Sequence, residues 1–211
     1  MEEIGLFPLG IVLLPGERAP LHIFEERYKE LIGECIELDG DFGLALEDDD
    51  GMRTVGTLAS VVEVLERLPD GRMNIVVSGG DRFRIVGLTA GRAFTTAQVE
   101  RFQDASEGAG GAEGGEPSPE DAARCLARYR ELVDLADAEP EELDLTAESL
   151  AFEIAGRIAF DPDSKQELLE MRSEGGRVRR LDELLETAIE GVRLRHTIRE
   201  RAAGNGHVPG S

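Results

Sequence analysis

The stretch Gly5-Leu-Phe-Pro-Leu-Gly-Ile-Val-Leu-Leu-Pro-Gly-Glu-Arg-Ala-Pro-Leu-His-Ile-Phe-Glu-Glu-Arg-Tyr-Lys-Glu-Leu-Ile32 decides how the rest of the chain is read. Its two apolar runs, Leu6 to Leu9 and Ile11 to Leu14, are broken by Pro8, Gly10, Pro15 and Gly16. That punctuation predicts two short strands with a kink between them and a closing turn. After Pro20 the period changes. Ile23, Tyr28, Leu31, Ile32, Cys35 and Ile36 recur at three and four residues, while Glu25, Glu26, Lys29, Glu30 and Glu34 fill the other face. This is the pattern of an amphipathic helix. A bent strand leading into a helix cannot bury its own apolar face, so the remaining chain must close over it.

The same residues carry a resemblance. Phe7-Pro8-Leu9, Val12-Leu13-Leu14-Pro15-Gly16 and Pro20-Leu21-His22-Ile23-Phe24-Glu25-Glu26-Arg27-Tyr28 resemble the opening of the Lon protease amino-terminal domain, in the form of the small bacterial proteins that consist of that domain alone. A second stretch, Asp70-Gly-Arg-Met-Asn-Ile-Val-Val-Ser-Gly-Gly-Asp-Arg-Phe-Arg-Ile85, resembles the hairpin of that family, which ends in Gly-x-x-Arg-Phe-x-Ile. Gly56-Thr-Leu-Ala-Ser and Ser164-Lys-Gln-Glu-Leu-Leu-Glu170 are similar to its central strand and to a helical segment.

Between and beyond these motifs, the chain reads as strands and then helices. Asp39 to Leu46 is an apolar strand behind an Asp/Gly turn, and Glu47 to Gly51 is an acidic hairpin tip. The tip is no EF-hand, because position 58 is Leu where the closing glutamate belongs. Val55 to Leu68 is a long strand with Val61, Val62, Val64 and Leu65 on both faces, as in a barrel strand covered on two sides. Pro69-Asp70-Gly71-Arg72 is a turn. The return strand is Met73 to Ser78, Gly79-Gly80-Asp81 turns again, and Arg82 to Thr89 and Ala93 to Phe102 are the last strands. Six or so strands with one early helix predict a small curved sheet or barrel.

Gln103 to Pro117 has a Gly/Glu composition with almost nothing to bury, the mark of a flexible linker. Ser118-Pro119-Glu120-Asp121 then starts a helix with a capping hydroxyl, an early proline and acids at the positive end of the dipole. Ala122, Cys125, Leu126, Tyr129, Leu132, Val133 and Ala136 form its stripe. Thr146 is read as the cap of a second helix through Ile158, Asp161-Pro162-Asp163 as the start of a third to Met171, and Gly175-Gly176 as the lead into a fourth with Val178, Leu181, Leu185, Ala188 and Val192 inward. The expected class is α+β: a PUA-like curved β-domain over 1–103, a linker over 104–117, a helical subdomain over 118–203 and a disordered tail over 204–211.

Composition limits function. The formal net charge of −21 repels phosphate backbones, and the one local arginine cluster, Arg177, Arg179 and Arg180, reads as the solvated start of a helix. No apolar run reaches a membrane span, and the start of the sequence does not read as a signal peptide, so the cytoplasm is expected. Cys35 and Cys125 fall on apolar helix stripes without Cys-x-x-Cys spacing, which suits buried hydrophobes better than a disulfide or zinc site. No phosphate loop is present, since Gly79-Gly80 lacks the following lysine. His207 lies in the expected tail and His196 among arginines on a helix. Glu25 and Glu26 are explained by the helix dipole before acid/base chemistry is needed. His22, between Leu21 and Ile23 at the turn into the first helix, suits either a structural bond to a backbone carbonyl or a ligand surface.

The ATPase and Ser–Lys catalytic segments that follow this domain in the large proteases have no counterpart in these 211 residues, so the resemblance implies neither activity. It implies polypeptide recognition, with exposed apolar groups engaging unfolded chains and extended segments adding to a sheet edge. His22, Phe24, Glu25, Arg27 and Tyr28 are the candidate surface. The expectation is a non-catalytic module that binds polypeptide or a partner protein, with no cofactor or metal. Rival readings are an RNA-binding PUA-like protein and a small-molecule enzyme.

Overall fold

The computed structural model describes residues 1–105, 115–139, 143–144 and 147–204. Thr146, most of the expected linker, His207 and the tail beyond 204 lie outside the described residues. The strands are β1 (Glu2–Leu9), β2 (Arg18–Ile23), β3 (Phe42–Asp48), β4 (Gly51–Met52), β5 (Val55–Arg67), β6 (Met73–Thr89) and β7 (Thr96–Arg101). The helices are α1 (Glu26–Leu38), α2 (Pro119–Leu135), α3 (Leu150–Ala155), α4 (Pro162–Glu170) and α5 (Glu174–Gly204). The seven strands form a curved sheet in the order β1-β7-β6-β5-β3-β4, with β2 added to β6. One half of β1 runs antiparallel to β7 and the other half runs parallel to β3. A strand so shared by two partners bends the sheet around itself. This is the expected α+β architecture, a curved sheet with one early helix followed by helices.

Several local expectations are corrected. Ile11 to Leu14 is not a strand: Val12, Leu13 and Leu14 are buried in irregular backbone, and the second strand is β2, downstream of the turn at Pro15-Gly16. Pro20 concealed it. A proline is tolerated there because, among the described residues, β2 pairs only with β6 and needs no N–H on its other side. Gly79-Gly80-Asp81 is no turn either, since β6 runs unbroken for 17 residues. A Cβ on Gly79 would stand 2.2 Å from the Leu14 carbonyl oxygen, so glycine serves a close backbone approach at this point. The far half of β5 is not covered on two sides, because Val62, Val64 and Leu65 are exposed.

The apolar side chains divide by layer. Tyr28, Leu31, Ile32 and Cys35 of α1 pack on Phe7, Phe42, Leu44, Ile75 and Val77 of the sheet. A second core joins Val12, Leu14, Leu46, Val55 and Phe102 to Cys125, Phe152, Ile154, Leu168, Leu169, Val178 and Leu181 of the helices. The bent segment 12–14 therefore contributes to both cores, which is why the chain is organised around it. The caps at Ser118 and Asp161 accept the N–H of Asp121 and Ser164, as their spacing predicts. α3 is shorter than expected and is capped by Ser149. α5 begins before Gly175-Gly176, which lie in its first turn. The Lys-Gln-x-Leu-Leu motif is structural throughout. Lys165 bonds Glu17 at 2.5 Å, Gln166 donates to the Val55 carbonyl, and Leu168 and Leu169 enter the shared core.

Candidate functional site

β2 alternates as a half-buried strand must. Leu21 and Ile23 face the core, while Arg18, Pro20 and His22 face out. Register places His22 opposite Asn74 of β6, and Asn74 opposite Glu66 of β5. The three side chains form a line of hydrogen bonds across the strands: His22 Nδ1 to Asn74 Oδ1 at 2.6 Å, and Asn74 Nδ2 to Glu66 Oε2 at 2.9 Å. A carboxylate can only accept, so it must face the Asn74 amide nitrogen. The Asn74 oxygen is thereby turned to His22, and Nδ1 of the ring carries the proton. Nε2 is left for another partner.

Phe24 stands just beyond the strand, 58% exposed, its ring stacked on His22 at 5.9 Å and 22°. A shallow depression of about 500 Å³ borders His22 and is lined also by Pro20, Leu21, Leu65, Glu66, Asn74 and Ile75. Glu25 caps α1 without a side-chain hydrogen bond to the backbone, and its carboxylate instead accepts from Arg27 Nε at 2.9 Å. The Arg27 guanidinium covers the Tyr28 ring at 4.5 Å. Tyr28 itself is buried, 4.0 Å from Phe7 between ring centroids. Burial raises its phenol pKa, partly offset by Arg27. Four of the five sequence candidates thus share one exposed corner, and Tyr28 supports it from beneath. Lys29 fixes the corner to the β5–β6 turn by donating to Glu26 and to the Asp70 carbonyl. Asn74, Glu66 and Leu65 were not foreseen, because only the three-strand register brings them to His22.

A second concavity of about 610 Å³ opens between sheet and helices. Its base holds Arg82 and Arg177, both buried, with Asp104 between them. Arg177 is therefore not part of a solvated helix start: it donates to Asp104 Oδ1 at 2.7 Å, to Oδ2 at 2.5 Å, and to Glu174 at 3.0 Å. Arg82 donates to Asp104 at 2.5 Å and to the carbonyls of Leu169 and Met171. The first residues after β7 are consequently tied down: Ala105 N–H donates to the Arg172 carbonyl and Arg172 Nε to that of Gln103.

The described residues hold no group of three or more His, Cys, Asp or Glu placed for a metal ion, and no described helix is long and apolar enough to cross a membrane. Cys35 and Cys125 are buried free thiols, their pKa values pushed up to about 11 and about 12 by desolvation, and their neutral form suits packing rather than nucleophilic attack. His196 lies on an exposed face of α5.

The fold is shared with two solved structures. The Lon N-terminal domain protein from Xanthomonas campestris is 23% identical and superposes with a TM-score of 0.63 over 88% of this chain and 98% of its own. The N-terminal domain of the Mycobacterium avium complex Lon protease is 19% identical, with a TM-score of 0.62 over the same shares. In sequence, the Lon protease of Paraburkholderia phytofirmans is 28% identical over 96% of this chain, and that of Escherichia coli K12 is 26% identical over 94%. In both cases the match takes up 26% of the relative, so the chain spans about a quarter of the length of these proteases. Residues 3–187 match the family described as the ATP-dependent protease La (LON) substrate-binding domain, and the chain belongs to that family.

Proposed function

We propose that this protein is a non-catalytic binding module that holds extended or unfolded polypeptide, at the corner formed by β2 and the start of α1. The observation that carries the reading is the exposed Phe24 ring stacked on His22, which borders a shallow depression with mixed apolar and polar walls, in a chain whose family is described as a substrate-binding domain. An exposed aromatic held directly after a paired strand offers large contact area at little entropic cost. The hydrogen-bonded line His22–Asn74–Glu66 holds that platform in place and presents one imidazole nitrogen to a bound chain. Strand addition along β2 is interrupted at Pro20, which has no N–H, so side-chain contacts carry more of the binding than a backbone ladder does. The net charge of −21 weighs against RNA as the ligand.

The test is binding of a fluorescent, permanently unfolded carboxymethylated protein to the wild type and to the Phe24→Ala/Arg27→Ala double variant. Loss of a buried phenylalanine contact is worth about 1.5–3 kcal/mol, so a drop of roughly tenfold or more is expected. Capture at wild-type strength by the double variant removes this corner as the site.

A further inference from the structure

The cleft between sheet and helices holds two buried guanidinium groups that each have partners other than Asp104. The Arg82 guanidinium is held by the carbonyls of Leu169 and Met171, and Arg177 by Glu174 and the Met171 carbonyl. Both are stacked on Phe152, at 5.3 and 4.6 Å, and Arg82 also lies 5.2 Å from Phe102. Their side chains are only 7% and 3% exposed. Two like charges packed this closely need an anion beside them. Two carboxylates meet that need: Glu174, buried and bonded, of the two arginines, to Arg177 alone, and Asp104, gripped by both terminal nitrogens of Arg177 and by one of Arg82. Two parallel N–H groups on two oxygens is the geometry that selects a planar carboxylate. Unlike the arginines, the Asp104 side chain is 37% exposed and faces the cleft. The lining also includes Gly16, Gly79 and Gly80, whose missing side chains leave room for a ligand's own chain, together with Arg101 and the acids Asp81, Glu148 and Glu153.

We propose that this cleft is a carboxylate-binding site in which Asp104 is an internal occupant, exchanged for a carboxylate group of a ligand. The inference does not use the β2 corner and stands or falls apart from it. A tethered carboxylate competes at an effective concentration on the order of millimolar, so ligands displace it only when the cleft walls add contacts. Removing the Asp104 charge therefore exposes the site. Asp104→Asn keeps the side-chain volume, and its thermal midpoint is expected to rise with sodium acetate well above the rise with sodium chloride at equal ionic strength. The peptide Ala-Ala-Ala-Phe-Ala as the free acid is expected to bind this variant at least tenfold more tightly than the same peptide as the C-terminal amide. Adding Arg177→Gln is expected to abolish both effects.

Tighter binding of the free-acid peptide than of acetate assigns the site to polypeptide termini, and equal binding assigns it to small organic acids. Identical responses to acetate and chloride, together with no acid-to-amide difference, overturn the proposal and leave Asp104 a structural ion-pair partner. If Asp104→Asn does not fold unaided, refolding yield is compared in the two salts: rescue by acetate alone supports the site, and equal yields overturn it.

Discussion

His22 Nδ1 and Asn74 Oδ1 meet at 2.6 Å across the β2–β6 ladder, and the direction of the bond is imposed by Glu66 on the third strand. The neutral imidazole is therefore expected as the Nδ1–H tautomer. Nitrogen-15 NMR of labelled histidine reads this directly. A protonated Nε2 with a bare Nδ1 would show that the line of hydrogen bonds does not exist in solution, and Asn74→Leu is expected to release the preference.

Glycine at 79 is required by space and glycine at 33 is not. Gly79→Ala puts a methyl group 2.2 Å from the Leu14 carbonyl oxygen, within the segment shared by both cores. A loss of about 2 kcal/mol or more in urea unfolding is expected. Gly33 lies within α1 with nothing within 4 Å of an added Cβ. Gly33→Ala is expected to stabilise by about 0.5–1 kcal/mol. Equal effects from the two substitutions would contradict the packing described.

The Lys165–Glu17 pair joins α4 to the bend before β2, with each side chain 11% exposed. Glu17 also accepts the Leu14 N–H. Lys165→Met strands a carboxylate in a poorly solvated place and is expected to cost about 3 kcal/mol. The double variant Lys165→Met/Glu17→Gln is expected to be more stable than the single one. A double variant less stable than Lys165→Met alone would mean that packing, and not the stranded charge, dominates.

Burial by itself would raise the pKa of Asp104, but hydrogen bonds and charge from Arg177 and Arg82 outweigh it and hold the carboxyl below its usual range. With a depressed folded value, the stabilisation is present above the unfolded pKa of about 4 and is lost as pH falls through the folded one. Asp70, Asp121 and Asp161 are depressed too. Asp104→Asn is therefore expected to remove part, not all, of the acid loss of stability, seen in urea midpoints measured from pH 7 down to pH 3. An unchanged acid limb would contradict the shift.

The two thiols give the opposite sign. Their folded values lie near 11 and 12, above the ordinary thiol, so the unfolded chain sheds these protons first and stability falls as pH rises past the ordinary value. Neither thiol is expected to react with Ellman's reagent in the native state at neutral pH, and both should react in denaturant. Fast native labelling would show an opening that the packing does not allow.

The starts of α2 and α4 were legible in the sequence because they carry local chemistry, Ser118 and Asp161 capping where their spacing says, whereas α3 is capped by Ser149 and α5 starts ahead of its glycines. The strands were legible in number but not in boundary. Pro20 reads as a turn until β2 is seen to pair on one side only, and Gly79-Gly80 reads as a turn until Leu14 is seen against it. Burial of 12–14 without a ladder, and of Arg177 in an ion-paired cluster, depends on contacts more than 60 residues distant, which no local pattern encodes. The candidate corner was found because His22 and Phe24 lie close in sequence. Its other half, Asn74 and Glu66, became visible only with the register.

β6 pairs with β2, β5 and β7, segments spread from residue 18 to residue 101. β5 and β7 are joined to it by short connections and β2 is not, so both hairpins are cheap loops to close and β2 must await them. The β5–β6 hairpin, with the longer ladder, is closed by the turn over residues 69–72. The folding rate is accordingly expected to respond to changes at Gly71 in that turn, whereas changes at Lys165 mainly quicken unfolding. Chevron plots of the two variants separate these limbs, and the reverse assignment would place the nucleus elsewhere.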